Sequence, residues 1–414
     1  MKYLITKYFT AMKPRYLILV LAAGILFQTK TKAQDPDPEW AKRNTWFFDN
    51  FTKDSLTWEM FRETFIGVAP APSWDFDQVF YDALYKTKLS KPGLCYGLDV
   101  MELLMLKNGG HLGYCHPPFV YSGVDRPDDP ILETAIELTH GNQINHGFLS
   151  FMLDIIAVNK LRDGKYCADK VEEFLAKKDY PVICISASGG IFSDSGHCIV
   201  PYAVTHGGGM TKIWVYDPNR SWYVNAPDGK PWYDSHSNFI LVNDGAKSWT
   251  FTMAGTLGTW SGDPGTGGRI VAAPLSVVGR KDRLPQSLLA EGAYALNTIM
   301  IYGNVSIEQV SDPRNGKQMM NDAGNELEQC EEKRMTNIMS FVPMNGGHPA
   351  EGSNNTNAMF FRGADPVDIR YRAMGDYRIG IIYRGRYYEE KGNGKGDVQY
   401  FRLSEMIKKE VKAF

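Results

Sequence analysis

Cysteine is scarce in this chain: six residues in 414, with no Cys-x-x-Cys pair among them. That density excludes the disulfide framework of a small stapled module. The loop "GGHLGYCHPP" brings His111, Cys115 and His116 close in sequence but has no second cluster at zinc spacing, so no metal is assigned there. An excess of charge of one sign is missing too. A formal net charge of −2 lacks the electrostatic footprint of a nucleic-acid or anionic-membrane binder. After the N-terminus there is no apolar run of the ~20 residues that a membrane span requires. Internal repeats and low-complexity tracts are absent. The glycines of "EEKGNGKGDVQYF" do not follow a strand and open a helix, so the stretch reads as a hairpin turn and not as a phosphate loop. Nothing in the chain calls for a cofactor.

What is present begins with Lys and Arg residues, the apolar run "YLILVLAAGILF" and small residues at Thr31 and Ala33. This is the pattern of a secretory signal peptide over residues 1–33, and it implies a secreted or periplasmic product that is not an integral membrane protein after cleavage. The remainder is long enough for two domains, and at 43% apolar residues it can bury substantial cores.

In "KPGLCYGLDVMELLML" a cysteine stands at the threshold of an almost uniformly apolar run. From Leu98 to Leu106 only Asp99 and Glu102 are polar. Three residues apart, they share one face of a helix and leave its other sides buried. Pro92 and Gly93 mark a start, and Lys107-Asn108-Gly109-Gly110 supplies a basic last turn and a left-handed stop. Cys95 therefore falls in the first turn, where unsatisfied N–H groups favour thiolate over thiol. The dipole is worth at most ~2 kcal/mol, too little to ionise a thiol at neutral pH, so a cationic partner is required.

Upstream, "SLTWEMFRETF" reads as a short amphipathic helix. Downstream, a helical region is followed by three strand-like runs, "YPVICISA", "GHCIVPYAV" and "TKIWVYDPN", an order that means an α+β domain. Cys184 and Cys198 sit in such strands and read as buried, while a bridge between Cys115 and Cys167 is left open. Among eight histidines, His197 stands out at the start of a strand, after the small-residue loop "SASGGIFSDSG". A turn centred on Gly207 sets His197 directly opposite Asp217, with Cβ atoms ~5 Å apart, close enough for a carboxylate to orient an imidazole. Asn219 lies two residues further on the same face, and a small register change substitutes it. Cys95, His197 and Asp217 thus supply the nucleophile, base and orienter of a covalent acyl-transfer site.

At these residues the chain resembles the papain-like cysteine peptidases, in particular the bacterial branch similar to double-glycine-leader peptidases. The matching residues are Cys95 with Gly97, Gly196-His197 with Pro201-Tyr202, and Tyr216-Asp217-Pro218-Asn219, within a resemblance that covers roughly residues 40 to 280. It implies a papain-like catalytic domain over 34–284, with the cysteine helix packed on an antiparallel sheet. It also implies hydrolysis of a protein or peptide substrate through a Cys-His-Asp triad and a thioester. One feature departs from the pattern: the oxyanion-hole glutamine usual before the cysteine is missing, and Ser90 and Gln78 are the substitutes in view.

Beyond Pro285, short alternating runs such as "NTIMIYGN", "VDIRYRAM" and "DYRIGIIYRGRYY" suggest a β-sandwich over 285–414. An amphipathic helix through Leu403, Met406, Ile407 and Val411 closes the chain. Two other functions use the same residues differently. A transglutaminase-like acyltransferase passes the acyl group to an amine, and a non-catalytic binding protein presents the aromatic-rich β region to a peptide or glycan.

Overall fold

The computed structural model describes residues 36–52, 56–70, 76–89, 93–123, 126–187, 195–220, 237–253, 257–285, 296–313, 317–320, 338–344, 346, 356–362, 366–384 and 386–407. Residues 1–33, which the sequence reading takes as a signal, and Ser90, Cys330 and Val411 lie outside them. The architecture is mixed α+β, built on two large antiparallel sheets.

Two short helices, Trp40–Asn44 (α1) and Trp58–Thr64 (α2), come first. The second is the amphipathic helix expected from its sequence: the Thr57 hydroxyl caps it by accepting from the Met60 N–H, and Trp58 and Phe61 are buried. Helix α3, Cys95–Asn108, starts at the cysteine and stops at Gly109, whose φ of 70° makes the left-handed exit. Asp99 and Glu102 are not a solvated stripe on it, because both are fully enclosed. Helices α4 (Pro130–Gly141), α5 (His146–Ala157) and α6 (Gly164–Ala176) follow, capped by the side chains of Asp129, Asn145 and Asp163. Helix α4 packs so tightly on α3 that a Cβ at Gly97 would stand 2.3 Å from the Ile136 carbonyl oxygen.

The first sheet contains β1 (Pro181–Ser186), β2 (Gly196–Gly207), β3 (Met210–Tyr216), β4 (Phe239–Asn243), β5 (Trp249–Thr252), β6 (Thr259–Asp263), β7 (Thr266–Gly267) and β8 (Ile270–Pro274). Its order is β8-β1-β2-β3-β4-β5-β6-β7. Strand alternation sorts the core. Val182, Cys184, Cys198 and Val200 join the apolar cluster of Cys95, Tyr96 and Val100 on α3, while Ile183, Ile185 and Ile199 join Cys167, Ala168 and Val171 on α6. The sheet is thus clamped between the cysteine helix and α6.

The second sheet holds β9 (Leu296–Asp312), β10 (Lys317–Met320), β11 (Ile338–Ser340), β12 (Thr356–Arg362), β13 (Asp368–Tyr383) and β14 (Arg386–Arg402), in the order β11-β12-β9-β13-β14 with β10 on β9. Among the described residues this is one sheet, not the two facing sheets of a sandwich. Runs that read as separate short strands are halves of long ones, bulged at Gly303/Asn304 and Arg372/Met374, and residues of both halves share a single apolar cluster. "EEKGNGKGDVQYF" is likewise not a turn but the body of β14. Its glycines make room there: a Cβ at Gly392 would touch the Tyr377 ring at 3.1 Å, and one at Gly394 would stand 2.2 Å from the Ala373 carbonyl oxygen.

The two sheets are not independently cored. Leu296, Met300, Phe360 and Ile382 of the second sheet belong to the same cluster as Cys95 and Val200, and Pro36–Phe414 forms one compact unit. Among the described residues no helix is long and apolar enough to cross a membrane.

Candidate active site

The first turn of α3 is held from outside the helix. Asn50 Oδ1 accepts from the Leu94 N–H (2.6 Å), immediately before the cysteine, and the Asn50 backbone N–H donates to the Pro218 carbonyl (2.8 Å). One turn on, Trp46 Nε1 donates to the Leu98 carbonyl (3.1 Å), and the Tyr216 hydroxyl donates to the Trp46 carbonyl (3.1 Å). The helix that begins at Cys95 is therefore fastened to the end of β3 that leads into Asp217.

The β2–β3 hairpin turns through Gly208-Gly209, with φ of +60° and +76°, and not about Gly207. Ala203 opposes Trp214; after a bulge, Val200 opposes Tyr216. Continued, that register would set Asn219 against His197, so the ladder expected from the sequence is incorrect. The pair forms because the chain leaves the sheet at Asp217. The Asn219 N–H donates to Asp217 Oδ1 (2.8 Å) and the Arg220 N–H to the Asp217 carbonyl (2.8 Å), a tight turn that redirects the carboxylate. Asp217 Oδ1 thereby comes 2.7 Å from His197 Nε2. Asn219 does not orient the ring: its side-chain oxygen accepts from Asn50 Nδ2 (3.0 Å) and its amide donates to the Gly346 carbonyl (2.7 Å).

Cys95, His197 and Asp217 are all fully buried. Burial alone would push the Cys95 thiol up. Hydrogen bonding from Cys198 and the charge of His197 outweigh it and hold the thiol down to about 5. Burial would likewise lower the imidazole, but the Asp217 carboxylate and the Cys95 sulfur raise it to about 10. Asp217 itself stays low, because the His197 charge overcomes its desolvation. Two backbone N–H groups point at the sulfur, Cys198 at 3.4 Å and Gly346 at 3.1 Å. Since Nε2 is engaged by Asp217, the nitrogen left for the thiol is Nδ1, and the Cys95 sulfur is its only partner in view among the described residues. The arrangement favours a thiolate–imidazolium pair, with the ring held by a carboxylate.

Behind Cys95, the Asp99 carboxyl has no hydrogen-bond partner among the described residues, and the Glu102 carboxyl has the Trp46 backbone beside it. Burial, and for Asp99 the nearby Glu102 charge, drives both acids well above the ordinary carboxylate range, which favours their neutral forms.

Of the two substitutes for the missing glutamine, Ser90 lies outside the described residues, and Gln78 donates to Asp82 one turn along its own helix (2.6 Å). Sequence reasoning missed three residues that frame the site. Asn50 is one. Gln143 is another, fully buried, with Oε1 accepting from the Met344 N–H (2.7 Å). The third is Gly346, delivered from the second sheet. None carries a local motif, and only tertiary contact assembles them. Cys115 and Cys167 are both free thiols. Among the described residues no group of three or more His, Cys, Asp or Glu side chains is arranged to hold a metal ion.

Compared with protein-family models, curated proteins and solved structures, the chain matches none.

Proposed function

We propose that this chain is a papain-like cysteine peptidase that acts outside the cytoplasm on protein or peptide substrates. The observation that carries the reading is the placement of His197, with Nε2 2.7 Å from the Asp217 carboxylate and the ring beside a thiol held down to about 5. Cys95 Sγ attacks the scissile carbonyl carbon, and its electron pair forms the thioester carbon–sulfur bond. His197 gives its Nδ1 proton to the departing amine as the C–N bond breaks. The neutral imidazole then takes a proton from water, whose oxygen attacks the thioester and releases the acid and the thiolate. The Cys95 N–H at the helix start is one donor for the oxyanion, and Asn50 Nδ2, anchored through Oδ1 to the Leu94 N–H, is the second.

The test is digestion of a peptide mixture followed by mass spectrometry, comparing the parent with Cys95→Ala and His197→Ala. New peptide termini in the parent, reduced about 1,000-fold or more in both variants, are expected. Equal products from the parent and both variants would overturn the reading.

A further inference from the structure

The burial of all three site residues has an identifiable cause. The chain leaves β11 at Ser340 and runs back across the cysteine as Phe341–Met344, reaching the sulfur with Gly346. Its start is pinned, with Arg269 Nη1 donating to the Ser340 carbonyl (2.9 Å), Arg269 Nη2 to the Ser340 hydroxyl (2.6 Å) and the Phe341 N–H to the Ala358 carbonyl (2.8 Å). Over the site it behaves as an added strand. Met344 forms a parallel bridge with Gly196, the residue before His197, and its N–H donates to Gln143 Oε1. At the end, the Gly346 N–H donates to Cys95 Sγ and the Gly346 carbonyl accepts from Asn219 Nδ2.

The fit is close on both sides. A Cβ at Gly196 would stand 2.5 Å from the Pro343 carbonyl oxygen. Gly346 has a φ of +88°, and a Cβ there would stand 2.3 Å from Asn50 Nδ2. Both glycines are thus required for this segment to lie against the site.

Resting on the peptidase reading above, we infer that the cleft over Cys95 is a binding site for an extended peptide, occupied by the chain's own residues 341–344 and 346, so that the full-length protein is latent until they are displaced. Its contacts define what a substrate has to replace: main-chain pairing with Gly196, an N–H for Gln143, and a residue without a side chain where Gly346 meets Asn50. The group the segment presents to the sulfur is an N–H, which stabilises a thiolate, and not a carbonyl carbon open to attack. Strand addition of this kind takes its strength from main-chain hydrogen bonds, so an extended peptide is the chemistry that competes for the place.

Labelling of a covered thiol tracks the fraction of molecules in which the cover is open. The test measures alkylation of Cys95 in the full chain by a bulky maleimide, with mass spectrometry to assign the site. Parent, Gly346→Val and Gln143→Ala are compared, and circular dichroism and thermal melting verify that each variant is folded. Gly346→Val forces the segment off by clash and strain, whereas Gln143→Ala only removes a tether, so one stands if the other fails to fold. Slow labelling of the parent and labelling about tenfold faster or more in a folded variant are expected. A parent that reacts as fast as both variants would overturn the latency. If the variants label rapidly but cleave no peptide, the covering segment stands and the peptidase reading falls.

Discussion

The sulfurs of Cys184 and Cys198 lie 3.2 Å apart across β1 and β2, and Cys198 also gives its backbone N–H to Cys95. The two thiols form a short line behind Cys95. Burial, together with hydrogen bonds to Cys184 and Cys95, drives Cys198 well above the ordinary thiol range, so it remains a protonated donor.

Hydrogen bonding from Cys198 is the largest influence opposing desolvation at Cys95. Cys198→Ala keeps the backbone N–H but removes the S–H, so the acid limb of the Cys95 alkylation profile should move to higher pH. The small cavity costs about 1 kcal/mol. Alkylation rate against pH checks this, and an unmoved limb would mean that the backbone donors alone hold the thiolate.

The imidazolium–thiolate pair should persist between about 5 and about 10. Reactivity rises as pH climbs through the lower value, where the thiol ionises, and the imidazolium is lost through the upper one. Asp217→Ala removes the carboxylate that raises His197, so the upper limb of the plateau falls to lower pH. Turnover should fall by about 100- to 10,000-fold. Asn219→Ala, whose side chain touches Asn50 and Gly346 but not the ring, should change the profile far less. Matched pH–rate curves for the two variants decide, and the reverse ranking would make the asparagine the orienter.

Asp99 and Glu102 give stability its own pH dependence. Their folded pKa values are raised, so the folded state holds protons that the unfolded chain releases once pH passes the ordinary carboxylate range. Stability is then lost as pH rises toward the folded values, at about 1.4 kcal/mol per pH unit for each proton held. Asp99→Asn, which cannot ionise, should flatten the slope and leave the variant more stable than the parent at alkaline pH. Urea unfolding at several pH values reads this directly, and parallel slopes would show that Asp99 is already ionised.

Gly97→Ala should separate α3 from α4, since the new methyl would meet the Ile136 carbonyl oxygen at 2.3 Å. A loss of about 1–3 kcal/mol is expected, visible as a lower Tm. An unchanged melting point would show that the helices shift apart at no cost.

A chain ended at Pro285 would expose the α3 cluster where Leu296, Met300, Phe360 and Ile382 now cover it. It should bind a hydrophobic dye and lose its cooperative thermal transition. A sharp melt in the shortened chain would show that the first sheet is cored on its own.

Local chemistry was legible in the sequence. The start and stop of α3, the three strands around His197 and the mixed α+β class follow from turn residues and apolar periodicity, which act over a few residues. Pairing across a hairpin was not, because the turn at Gly208-Gly209 and the bulge before Ala203 both shift the register, and only the turn after Tyr216 returns Asp217 to the ring. Alternation also failed to separate two short strands from one long bulged strand in β13, since a bulge preserves the apolar pattern on either side of it. Asn50, Gln143 and Gly346 carried no signal at all. Each is an ordinary polar or small residue whose meaning comes from a contact with a distant part of the chain.

The protons held by Asp99 and Glu102 also alter how this molecule behaves in bulk solution. A formal charge count takes both acids as ionised. Each proton that either acid keeps on folding makes the native chain one unit less negative than the unfolded one at the same pH. Above the ordinary carboxylate range, unfolding should therefore release protons to the solvent, and the unfolded chain should migrate further toward the anode than the native one, so that electrophoretic mobility becomes a gauge of whether that interior is closed.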